Sequence, residues 1–145
     1  MSFLNSFIHG DKLTEFLIEG HNPDARQKLP TDDVDALRQH MQTGEVLRAY
    51  VVGRVVMSGR GVWAITEKQV LIRNATRQSL AHIDVSHITR FEAVRGRYGH
   101  TVRLLADGRE HSLYGVDAEL AKGMHRALES LGAVSYTHLT LPTIL

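Results

Sequence analysis

The side chains able to do chemistry in this 145-residue chain are cations and imidazoles. Arg60 lies inside the turn-like stretch "MSGRG" with Arg54 just before it, and Arg95, Arg97 and His100 share "RGRYGH" with Tyr98. Guanidinium groups interleaved with an aromatic ring can hold phosphate oxygens or stack on a base. Arg54, Arg60, Arg95, Arg97 and His100 are therefore the candidate set for an anionic ligand, and Arg73 and Arg77 in "IRNATRQ" could extend it. The Gly-x-x-Gly inside "RGRYGH" is too short and wrongly placed for a phosphate loop opening a helix. Of the nine histidines, His82 and His87 straddle Asp84, but five positions apart on a strand puts them on opposite faces. His100 and His111 are expected to approach across a hairpin. The histidines read best as surface or hydrogen-bonded groups, and no metal or other cofactor is expected. Cysteine is absent, which excludes thiol nucleophiles, disulfides and Cys-based zinc sites. No Ser or Thr sits in a nucleophile elbow or beside a His/Asp pair. The carboxylate pair Asp32/Asp33 reads as a helix start. Enzymatic activity is not expected.

Two changes of hydrophobic period mark the elements that must position these residues. Apolar pairs at Phe3/Leu4, Phe7/Ile8 and Phe16/Leu17, with Leu13, recur on one helical face. Gly10 and Asp11 interrupt them, so one helix or two short ones fit equally. Pro30-Thr31-Asp32-Asp33 supplies a helix start with carboxylates in its first turn, and Val34, Leu37 and Met41 continue a stripe ending near Gly44. From Glu45 the period falls to two. Leu47, Ala49, Val51, Gly53 and Val55 alternate with Arg48, Tyr50, Val52 and Arg54, predicting a long half-buried strand with a bulge or bend at Gly53. Ser58-Gly59-Arg60-Gly61 predicts the hairpin loop that follows. Further strands are predicted over 62–66, 69–73, 80–85, 88–94, 101–105 and 110–114, with an Asp107-Gly108 turn before the last. After Gly115 the helical period returns. Asp117 can cap, Leu120, Ala121, Met124, Leu128 and Leu131 line one face, and Gly132 stops the helix.

The expected fold is thus α+β: a small antiparallel barrel or sandwich of about seven strands, preceded by helices and capped by a C-terminal helix. Hydrophobic residues make up 43% and charged residues 23%, enough for one domain with a real core. The start lacks a basic region and a long apolar run, and nothing approaches a transmembrane length. A cytoplasmic location follows as the expectation, also from the lack of cysteine. The net charge of +1 is unevenly spread: residues 1–44 hold 4 Lys/Arg against 7 Asp/Glu, and residues 45–115 hold 11 against 6. The basic middle suits an anionic partner as well as a solvated barrel surface. The acidic start makes the stripe of Phe3, Leu4, Phe7, Ile8, Phe16 and Leu17 a surface for protein interaction or self-packing rather than for membranes.

The strand opening "GEVLRAYVVG", the pair "GVWAITEKQVLIR", the segment "HIDVSHITRFEAVRG", the hairpin "HTVRLLADGREHSLYG" and the closing "DAELAKGMHRALESL" together resemble bacterial pleckstrin-homology (PH) domains of the YokE-like type. Thr66, Ile72, Ile83, Ile88 and Thr89 carry the match, which spans roughly Gly44 to Gly132. The resemblance implies a PH-like binding scaffold without catalytic residues. It also implies a ligand region near the loop between the first two strands, where Arg54 and Arg60 stand. The expected function is recognition of a protein or peptide partner; the alternative is an anionic lipid headgroup or nucleic acid. A homo-oligomer is compatible with either. The organisation expected is a helical extension over 1–43, a PH-like domain over 44–133, and a tail over 134–145. That tail, "VSYTHLTLPTIL", is uncharged and has neither period. Its first ten residues resemble the translation of a transposon-based sequencing-library adapter, so the natural sequence is expected to stop near Ala133.

Overall fold

The computed structural model describes Leu29 and residues 31–133. The predicted helices over 3–18, with their six interaction candidates, and the tail over 134–145 lie outside the described residues. A helix, α1 (Thr31–His40), precedes seven strands: β1 (Leu47–Val55), β2 (Gly59–Thr66), β3 (Gln69–Asn74), β4 (Ser79–Asp84), β5 (Ile88–Gly96), β6 (Gly99–Ala106) and β7 (Arg109–Val116). A second helix, α2 (Ala118–Ser130), follows them. Among the described residues all strand pairings are antiparallel, in the order β4-β3-β2-β1-β7-β6-β5. Among the described residues the sheet does not close, and β4 and β5 are its two edge strands, joined by a short 3₁₀ turn, Val85–His87.

The turns explain most of this path. At Glu67-Lys68 the Thr66 Oγ1 accepts from the Lys68 and Gln69 amides at 3.1 and 3.2 Å, and so holds the β2–β3 reversal. Asp107 and Gly108 both take positive φ, 53° and 75°, as a two-residue type I′ turn requires. The β1–β2 tip departs from expectation. It falls on Val56-Met57-Ser58, not on Ser58–Gly61, because Met57 adopts φ 61° and Gly59 to Gly61 already belong to β2. Helix α1 likewise ends at His40, short of Gly44.

β1 is buried on both faces from Ala49 to Gly53 rather than half-buried. Its register irregularity lies between Leu47 and Ala49, not at Gly53. Gly53 serves a close approach instead. It pairs with Gly61 across β1–β2, and a Cβ there would lie 2.7 Å from the Tyr114 carbonyl oxygen. A Cβ at Gly61 would lie 2.6 Å from Leu113 Cδ2. The two glycines thus form a notch into which β7 packs as the sheet folds back on itself. Trp63, Phe91, Leu104, Leu113, Met124 and Leu128 fill the core beside it.

α2 packs chiefly on β1 and also touches β2, β5 and β6. Asp117 caps it, accepting from the Glu119 amide at 2.8 Å. At the other end the Gly132 amide reaches the Glu129 carbonyl and the Ala133 amide reaches that of Leu128, both at 2.9 Å, with Gly132 at φ 75°. This is the Schellman closure that the glycine predicted. The buried face is the expected Leu120, Ala121, Met124 and Leu128, with Leu131 only partly buried, plus Ala127 and His125, which packs 6.0 Å from the Phe91 ring.

Candidate functional site

Residues directly opposite in an antiparallel pair project to the same face, and this separates the five cationic candidates. Arg54 lies opposite Arg60 on β1–β2, and Arg73 lies opposite Val62, two positions from Arg60 on the same face. Three guanidinium groups therefore occupy one face of adjacent strands. Asp33 meets two of them. Its fully buried carboxylate accepts from Arg73 Nε at 2.7 Å and from Arg60 Nε and Nη2 at 2.8 and 3.4 Å. Arg73 is nearly buried, whereas the Arg60 side chain stays 40% exposed. Arg60 is thus held in an ion triad that docks α1, and Arg54, opposite it, faces solvent. In the sequence Asp33 presents only a helix start, and Arg73 only an extension of a basic surface.

The remaining candidates gather at the β5–β6 hairpin. Arg95 pairs with His100 across it, and Arg97 packs its guanidinium 5.8 Å from the centre of the Tyr98 ring at the tip. Burial, then the charges of Arg95 and of Lys122 on α2, lower the pKa of His100 below the ordinary histidine value, with Asp117 opposing. Lys122 was not foreseen, because its position beside the hairpin depends on how α2 packs. It is itself paired with Glu119 at 3.5 Å. The expected approach of His100 and His111 does not occur. His100 pairs with Val116 and His111 with Leu104, so they stand at opposite ends of β6–β7. Burial, then Arg109, lowers the pKa of His111. Among the described residues no three His, Asp or Glu side chains gather as a metal site.

A third feature lies at the open seam. A cavity of about 560 Å³ sits between the β2–β3 turn, the turn leaving β4, the start of β5 and the end of α2. Val85, Ile88, Leu131 and Ala133 give it apolar surface; Glu67, Lys68, Asp84 and Ser86 give it a polar rim. The turn is internally braced. Asp84 accepts from the Ser86 hydroxyl at 2.7 Å and from its amide at 2.9 Å, which lowers the pKa of the Asp84 carboxyl. The Val85 amide donates to the Lys68 carbonyl at 2.9 Å. Nearby, burial would raise the pKa of Glu45, but donors from Thr66, Gln42 and Gln69 and the charge of Lys68 lower it. No local motif announces this cavity, since its walls come from three separate stretches of chain.

No helix among the described residues is long and apolar enough to cross a membrane. Compared with protein-family models and with curated proteins, the chain matches none.

Proposed function

We propose that the chain carries a PH-like, non-enzymatic binding module that recognises a protein or peptide partner at the open seam of its sheet. The resemblance over Gly44 to Gly132 and the order of seven antiparallel strands and a C-terminal helix support the PH-like reading. The observation that carries the function is the seam itself: two strands that are edges among the described residues, beside a cavity with apolar walls and a polar rim. A free edge presents unpaired amides and carbonyls that an extended peptide can join, and flanking cavities select its side chains. Within this reading the tail over 134–145 is adapter-derived and belongs to no site, and the protein is cytoplasmic. The test is selection from a displayed peptide library against the native chain and against Ser86→Trp, which fills the cavity mouth. Peptides enriched on the native chain should lose binding to the variant. Equal binding to both would remove the seam from the account.

A second reading has its own observation. Arg54 and Arg60 stand side by side with like charge, and Asp33 is the carboxylate that meets this set among the described residues. An anionic headgroup or nucleic acid would relieve that repulsion. Salt-dependent binding to anionic vesicles or oligonucleotides, weakened by Arg54→Glu, supports it; no binding at low salt rejects it.

A further inference from the structure

The Asp33 triad has the form of a ligand contact made within one chain. A carboxylate with no solvent exposure is gripped by two guanidinium groups from neighbouring strands, 27 and 40 residues further along the sequence. The helix that delivers it is short. Ten residues make a marginal helix in water, so α1 owes its form to docking. Its described contacts with the sheet fall mainly on β3. Beside Asp33, Val34 and Leu37 are its buried side chains, while Asp32 and Asp35 face solvent. The recognised pattern is therefore one carboxylate, an apolar residue next to it, and a second apolar residue one turn on.

The floor of the docking surface follows from register. Val62 lies opposite Arg73, and Ala64 lies opposite Leu71 on the same face; Val62, Ala64 and Leu71 are fully buried. The connection from α1 to β1 is an exposed stretch in which Gly44 takes φ 87° with nothing within 4 Å of where a Cβ would be. Glu45 is held beyond it by Thr66 and Gln69, whereas the end of α1 is tied to that anchor by the Gln69 side-chain amide on the His40 carbonyl at 3.4 Å, so α1 leaves by breaking that bond while the start of β1 keeps its own.

We propose that this face of β2 and β3 is a docking groove for an acidic amphipathic helix, occupied in cis by α1 through Asp33, and that a partner helix with the same carboxylate-and-apolar pattern displaces α1. The groove lies apart from the seam, so each proposal can fail alone.

The probe is a labelled synthetic peptide of residues 29–42, titrated into the full chain and into its Leu37→Glu variant, which ejects α1 and leaves the groove intact. The peptide should bind the variant about tenfold or more tightly than the native chain, because removing the cis occupant raises the fraction of open groove. The same peptide carrying Asp33→Asn should bind the variant about tenfold more weakly, since it lacks the charge that pairs with Arg60 and Arg73. No saturable binding to the folded variant overturns the proposal, as does equal binding by native chain and variant or by the two peptides. If Leu37→Glu fails to give a native amide spectrum, a protease site inserted between Gln42 and Gly44 is cut after folding. Exchange of the freed helix for labelled peptide then supports the proposal, and retention without exchange overturns it.

Discussion

Asp33 is the residue whose loss the fold should feel most. Asp33→Ala strips the nearly buried Arg73 of its counter-charge, and breaking such a buried pair costs about 3–5 kcal/mol, read as a drop in urea unfolding stability. Arg60→Ala should cost distinctly less, because that side chain is partly solvated and Asp33 keeps Arg73. Equal effects would contradict the triad. The sequence hid this role for a simple reason. First-turn carboxylates are favoured in any helix, so Asp32 and Asp33 look alike until the fold buries one and exposes the other. His100 adds a pH dependence. Burial and its cationic neighbours hold its folded pKa below the unfolded value of 6.5. The neutral ring's stabilising share is then fully present above that value and is lost as pH falls through it towards the folded value. His100→Gln should flatten the fall in unfolding midpoint between about pH 7.5 and 5.5, relative to the native chain. An unchanged slope would mean the ring is not held neutral by its surroundings.

At the level of elements, the alternating and helical periods located β1 to β7 and α2 well, because apolar runs are separated by turns and caps with local chemistry. Asp107-Gly108, Asp117 and Gly132 are examples, each fixed by hydrogen bonds or φ within a few residues. The β1–β2 tip differs from expectation because Met57, a residue with no turn preference, takes the left-handed conformation, while Gly59 takes φ 100° at the start of β2 and Gly61 serves packing. Gly53 shows the same limit. Its glycine was visible, but its reason, the backbone of β7 lying against it, comes from chain some 60 residues further on. Gly53→Ala should therefore destabilise by roughly 1–3 kcal/mol through overpacking. Gly61→Ala should cost less, since its Cβ would meet side-chain methyl groups of Leu113 and Val55 rather than a backbone carbonyl oxygen. Thermal unfolding of the two variants ranks them, and the reverse order would refute the notch.

At the scale of the molecule, the sheet formed by the described residues stays open between β4 and β5, and the basic middle of the chain does not converge on one patch. Arg54 and Arg60 lie on the face carrying α1, Arg95 and His100 lie beside α2, and Arg97 lies at a hairpin tip. The composition revealed the positive charge but not its partition, which depends on the fold. The seam was invisible for the same reason, since it joins the β2–β3 turn, the turn after β4 and the end of α2. Recognition at that seam is the central claim. Its most direct test is to titrate a library-selected peptide into the isotope-labelled chain and map the amide shifts. The account predicts shifts concentrated on Lys68, Asp84 to Ile88 and Leu131 to Ala133; shifts confined to Arg54, Arg60 and the β5–β6 hairpin would contradict it.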